Sequence, residues 1–124
     1  EGRAMTESLK WLEDDDWFKR KYSARLEPDL MLLCAYYLLY VKQGPEPADP
    51  VARFHLGNGA QLDRINWLAD ISKQGLKRCA GLMANYRYRL SDVEDNHESY
   101  VRENRVAASR QLRKLARDCP LFQG

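Results

Sequence analysis

The sequence predicts a mixed α and β region of the α+β class, on three observations. "DLMLLCAYYLLYV" is an apolar run of helical length. "GLMANYRYRL" alternates with period two, which is the signature of a strand. "VARFHLGNGAQLDRINW" alternates, turns at Gly-Asn-Gly and alternates again, which predicts a hairpin.

In chain order, 6–22 reads as a helix with Leu9, Leu12 and Trp17 as core candidates and the acidic run Glu13 to Asp16 facing water. Pro28 suits the first turn of a second helix, 28–41, because its missing N–H is no loss there. Glu27 or Asp29 favours that helix's positive end. This helix is apolar on nearly every side and needs cover, either within the chain or from material outside it. The second is favoured, because 124 residues offer little else to cover it. "KQGPEPADP" breaks the pattern and reads as a loop. Strand "VARFHL" would put Phe54 and Leu56 on one face and Arg53 and His55 on the other. "GNG" tolerates positive φ, and "AQLDRINW" is the returning strand.

Asp70 or Ser72 can cap a short helix, "SKQGLKRCA", ended by Gly81. In the next strand Leu82, Ala84, Tyr86, Tyr88 and Leu90 share one face, with Met83, Asn85, Arg87 and Arg89 on the other. Ser91 to Glu94 has the form of a capping box and opens a helix. A last helix, about 107–119, stops before Pro120. Three strands make a poor free-standing sheet beside helices this apolar, so the chain reads as one end of a larger domain.

Composition narrows the function classes. The 124 residues suit one domain with a modest core, and 44% hydrophobic with 31% charged residues is an ordinary folded balance. A net charge of +2 gives no reason to expect nucleic acid or an anionic membrane as the main partner. Arg110, Arg113, Lys114 and Arg117 recur at helical spacing around Leu112 and Leu115, as on a solvated helix face; Arg105 precedes them. The apolar run from Leu30 to Val41 is shorter than the roughly 20 residues that span a bilayer. Cys34, Cys79 and Cys119 are odd in number and far apart, against a disulfide framework or a zinc site and in favour of a reducing compartment. Glu1 to Met5 shows no secretory pattern and "CPLFQG" carries no peroxisomal address, so cytoplasm is the expected location.

His55 has two readings, a packing residue or a group that transfers protons. It lies opposite the apolar face of its expected strand, beside glycines that let a ligand approach the backbone. Imidazole is also the side chain best suited to proton exchange near neutrality. For Tyr86 and Tyr88 the alternate spacing by itself favours packing. Asn85 either orients a ligand carbonyl or pairs with a neighbour. His97 in "EDNHESY" reads as solvent-facing. "GNGAQL" begins like a dinucleotide fingerprint but has Leu62 at the last glycine and lies in a hairpin, so it is rejected.

"DPVARFHLGNGAQLDRINWLAD", "GLMANYRY" and "NHESYV…VAAS", preceded by "LMLLCAYYLLYVK", resemble the malonyl-CoA decarboxylase family. The long, nearly unbroken matches make the resemblance specific, and it loosens toward both ends of the chain. It implies a carboxy-lyase that converts malonyl-CoA to acetyl-CoA and carbon dioxide with no metal or organic cofactor. It also implies the C-terminal part of a catalytic domain of the GCN5-related acetyltransferase fold, a mixed sheet with flanking helices. The chain then divides into a helical lead-in (1–43), a loop (44–50) and a region of hairpin, strand and terminal helices (51–124).

By this resemblance the family's histidine falls on His55. Tyr88, in the matching "NYRY", is carried as a second catalytic candidate lining the acyl pocket. Asn58 and Asn85 are the substrate-binding candidates. The family's catalytic serine belongs upstream, and none of Ser8, Ser23, Ser72, Ser91, Ser99 and Ser109 stands in its motif. The implied partners are the acyl-CoA, the upstream part of the same enzyme and further copies of it; no nucleic acid or membrane is expected. A different class of function also stands: a non-catalytic fragment or subunit that complements an upstream polypeptide. Acyl transfer on the same scaffold is disfavoured by the dedicated "FHL…NGA…RINW" match.

Overall fold

The computed structural model describes residues 10–13, 16–19, 23–79 and 81–123. Of the helix expected over 6–22, Leu9, Asp14 and Asp15 lie outside the described residues. The described parts form two short 3₁₀ turns, Lys10–Glu13 and Trp17–Lys19. Trp17 is buried and Leu12 half-buried, while Glu13 and Asp16 face water, as their polarity requires.

Helix α1 spans Ser23–Tyr40 and so begins five residues before the expected start at Pro28. Pro28 therefore sits inside the helix and gives no N–H to the carbonyl of Ala24. Ala24 is exposed, so water can satisfy that carbonyl. Leu26, Leu30, Ala35, Leu38 and Leu39 are the buried stripe of α1. They pack mainly on the C-terminal helix α5, Arg110–Asp118, whose buried residues are Leu112 and Ala116. Met31, Cys34 and Tyr40 are half-buried against this core, and Tyr37 is exposed.

The expected loop contains a short antiparallel ribbon, β1 (Lys42–Gln43) with β2 (Glu46–Pro47). Next, the structure overturns an expectation: 50–57 is helix α2, Pro50–Gly57, and not a strand. Asp49 is its N-cap, its carboxylate accepting from the Ala52 N–H at 2.9 Å, with Pro50 in the first turn. Ala52 and Leu56, four apart, form the buried face; Phe54 is exposed and does not share a face with Leu56. Gly-Asn-Gly is correspondingly no hairpin turn. It joins helix to strand with three residues, 58–60, between them, Gly59 taking φ +92°.

Strand β3 (Gln61–Asn66) follows as expected and is central in a mixed sheet ordered β4-β3-β5. β4 (Met83–Arg87) pairs with it antiparallel, and β5 (Ala107–Ala108) pairs parallel. The register slips between Leu62 and Arg64, making Asp63 the extra residue of a β-bulge. The bulge lets Leu62 and Ile65, an odd three apart, both enter the core. The Asp63 carbonyl accepts from the Ser109 hydroxyl at 3.0 Å, and that same hydroxyl caps α5 by accepting from the Leu112 N–H.

The remaining elements adjust three further expectations. Helix α3 spans Lys73–Cys79, and of the two expected caps it is Ser72 that acts, its hydroxyl accepting from the Gly75 N–H, while Asp70 accepts from the Ser72 N–H just before the helix. The Ser72 hydroxyl first, and its N–H second, hold the Asp70 carboxyl below its ordinary value. β4 ends at Arg87, so Tyr88 and Leu90 lie beyond the strand and are exposed. Helix α4 spans Val93–Glu103 with Asp92 at its N-cap and no capping bond from its side chain; the capping box is not formed. The last helix starts at Arg110 rather than 107, because Ala107 and Ala108 are spent on β5.

Leu112 joins α5 to α1 and is 2% exposed. Leu112→Ala should cost about 2–5 kcal/mol in urea denaturation. Val101→Ala, at a position 64% exposed, should stay within about 0.5 kcal/mol. Equal losses for the two would contradict this placement of the core.

Candidate active site

His55 lies in the last turn of α2, half-buried. Its ring stacks on Tyr86 of β4, centroids 4.5 Å apart and planes at 22°. Its Nδ1 is 2.7 Å from the hydroxyl of Tyr88, just past the end of β4. Phe54 meets the ring edge-on at 5.1 Å. The hydroxyl can donate to Nδ1 of a neutral ring, or accept from Nδ1–H of a charged one. Either way Tyr88 fixes the ring's rotation and leaves Nε2 to exchange a proton elsewhere. Stacking from one side and a hydrogen bond at the edge leave little rotational freedom.

A cavity of about 580 Å³ opens here, lined by His55, Asp63, Ala84, Asn85, Tyr86, Arg87 and Tyr88. The bulge of β3 brings Asp63 to it, and β4 supplies most of the rest. Asn85 is exposed and accepts from the Asn66 amide at 3.1 Å, so the pairing alternative is realised while it still lines the cavity. Asn58 is not among the lining residues. It is exposed and ends α2, its backbone N–H given to the Phe54 and His55 carbonyls. His97 is exposed as expected, yet its Nδ1 is bonded to the Gly57 carbonyl.

Tyr86 was readable as packing and is more than that. Its period-two spacing with Tyr88 was the available signal that both serve one neighbour. Burial, followed by the charges of Asp49 and Cys34, pushes its phenol well above the ordinary value. The ring therefore stays neutral beside His55. Ala84 and Tyr86 also line a second, larger groove of about 1240 Å³, whose walls include Trp17, Leu30, Leu38, Val51 and Ile71. Among the described residues, no group of three His, Cys, Asp or Glu is placed to hold a metal ion.

Fold and site together define a mixed-sheet α+β unit with an oriented imidazole at an open polar cavity, backed by an apolar groove. The chain belongs to the malonyl-CoA decarboxylase C-terminal domain family, whose model matches residues 2–121. It is 44% identical over 116 residues to the mouse (Mus musculus) protein named malonyl-CoA decarboxylase, mitochondrial, covering 92% of this chain and 24% of that protein. The goose (Anser anser anser) protein of the same name is 43% identical over 111 residues, covering 88% of this chain and 22% of its own. The malonyl-CoA decarboxylase structure from Rhodopseudomonas palustris superposes with TM-score 0.85 at 45% identity, over 87% of this chain and 25% of that one. The one from Agrobacterium vitis gives 0.83 at 42%, over 89% and 28%. The chain thus spans about a quarter of the relatives it matches. Among the described residues no helix is long and apolar enough to cross a membrane.

The Tyr86 environment has a measurable consequence. A phenol whose folded value is raised above the unfolded value of about 10 adds stability that is complete below that pH. The contribution is lost as pH rises through the folded value. Tyr100, pushed up to about 12 by burial and by its bond to Glu46, behaves likewise. In an alkaline titration followed by phenolate absorbance, Tyr86→Phe should delete part of the late-ionising amplitude. An unchanged late phase would contradict the burial of this ring.

Proposed function

We propose that this chain is the histidine-bearing C-terminal part of a malonyl-CoA decarboxylase. The observation that carries the reading is the His55 imidazole, stacked on Tyr86 and bonded to Tyr88 at the mouth of a polar cavity. Cleavage of the malonyl C–C bond releases carbon dioxide and leaves its electron pair spread onto the thioester oxygen as an enolate. A proton must then reach carbon to give acetyl-CoA. Preorganised donors to an oxygen of this kind contribute several kcal/mol, and removing one costs about 2.7–4 kcal/mol. A positioned acid adds roughly 10²- to 10⁴-fold.

In this reading His55 acts with the upstream serine of the family, holding the malonyl carboxylate and then delivering the proton to carbon. Tyr88 orients the ring through Nδ1, so that Nε2 faces the reaction. Asn85 contacts the substrate from the cavity wall. Asn58, on the turn that ends α2, contributes backbone geometry in place of a side-chain contact. The upstream polypeptide, in a domain of acetyltransferase-like fold, would cover the apolar groove beside α1. Self-association of the complete enzyme and a reducing, cytoplasmic setting complete the proposal; the buried Cys119 thiol suits the latter, while the vertebrate relatives' names place those proteins in mitochondria.

In the full-length enzyme, His55→Ala should lower kcat about 10²- to 10⁴-fold. Tyr88→Phe, which keeps the ring and loses the hydroxyl, should lower it about tenfold with KM little changed. Turnover of His55→Ala within a few-fold of the parent would remove the proposed role. A separate assay mixes this chain with the upstream polypeptide. Activity in the mixture and none in either part is expected, and silence of the mixture beside an active full-length enzyme counts for a structural fragment.

A further inference from the structure

Helix α4 makes no contact with the cavity, yet it grips the turn that ends α2 at several points. The Asn96 amide donates to the Gly59 carbonyl at 3.1 Å. His97 donates from Nδ1 to the Gly57 carbonyl at 2.7 Å. Val93 lies so close to Gly59 that a β-carbon there would collide with the Val93 carbonyl oxygen. The Tyr100 ring lies under Gly57, where a β-carbon would meet Cε1 at 3.4 Å, and its hydroxyl donates to Glu46 at 2.9 Å. Glu46 belongs to β2, just before α2. One face of α4, from Val93 to Tyr100, is thus tied to the chain on both sides of the His55 helix.

The carbonyls taken by Asn96 and His97 belong to the two glycines of a three-residue turn that has no side-chain anchor of its own there. Without those donors the turn is held by its own backbone bonds and by packing against Val93 and Tyr100, and its glycines gain backbone freedom that a residue with a β-carbon would not have. His55, two residues before Gly57, would then lose its fixed distance to Tyr88. A displacement near 1 Å at a catalytic group can cost on the order of 10²-fold in rate.

We propose that Asn96 and His97 are positioning residues for His55, holding the end of α2 so that the imidazole keeps its stack on Tyr86 and its bond to Tyr88. The proposal rests on the catalytic reading of His55. His97 must carry its proton on Nδ1 to serve a carbonyl acceptor. Asparagine places an amide nitrogen near the position of Nδ1; glutamine reaches too far.

The test uses the full-length enzyme with malonyl-CoA. Asn96→Ala and His97→Ala should each lower kcat about ten- to hundredfold with KM moved less than about threefold. In a His55→Ala background the same substitutions should change the residual kcat less than about twofold. Losses of equal size in both backgrounds would assign the two residues to general folding and overturn the proposal. His97→Asn should hold kcat within about threefold while His97→Gln does not. Equal kcat for that pair overturns the proposal too, and decides the matter where an alanine variant does not fold. A His55→Ala enzyme that keeps its kcat overturns the underlying reading and this proposal with it. A large His55→Ala loss beside unaffected Asn96→Ala and His97→Ala overturns this proposal alone.

Discussion

The abrupt end of α2 at Asn58 and Gly59 is the constraint on which the site depends. The His55 carbonyl accepts from the Asn58 and Ala60 N–H groups at 3.1 and 3.0 Å, and the helix stops at Gly57, two residues after the imidazole. Gly59, at φ +92°, then turns the chain straight into β3. Only a residue without a β-carbon fits there, both for its conformation and for the closeness of Val93. Because β3 starts at Gln61, its register sets Leu62 opposite Tyr86 and Gln61 opposite Arg87. The tyrosine strand is thereby brought under the ring at the end of the helix. Backbone geometry places the imidazole, and side chains then fix its rotation.

One irregularity of the sheet serves both the core and the site. The bulge at Asp63 turns an odd spacing into two core contacts, Leu62 and Ile65, and moves a carboxylate to the cavity wall. Ser109 satisfies the bulge carbonyl and caps α5 with the same hydroxyl. The last helix is consequently tied to the strand that carries the site's register, and α5 in turn carries α1. Ala84 and Tyr86 line both the polar cavity and the apolar groove along α1, so the same two residues border two environments of different polarity.

Much of this was legible in the residues, and the failures have physical causes. "GLMANYRYRL" and "AQLDRINW" read as strands because alternation there is uncontested by capping signals. Even so, β4 stops at Arg87, short of Tyr88 and Leu90, and β3 pairs with β4 and β5 in place of a preceding hairpin strand. "VARFHL" misread because six residues can satisfy period two while Ala52 and Leu56 satisfy the helical spacing of four. Asp49 and Pro50, an N-cap followed by proline, were the deciding signal, and they favoured a helix. Ala107 and Ala108 gave no strand signal at all, since a two-residue parallel pairing comes from tertiary contact. His55 is singled out in the sequence by the family resemblance and by its glycine neighbours, although the expected strand around it is a helix. Its partner Tyr88 was legible by the same route, whereas Tyr86 needed the three-dimensional register to show that its ring lies flat on the imidazole.

The orientation of the site turns on one hydroxyl, that of Tyr88, which holds the ring of His55 by Nδ1. Side-chain nitrogen NMR of selectively labelled histidine, comparing the native protein with Tyr88→Phe, tests it most directly. The account predicts that the substitution moves the His55 Nδ1 resonance strongly and Nε2 weakly. Equal movement of both nitrogens, or of neither, would contradict it.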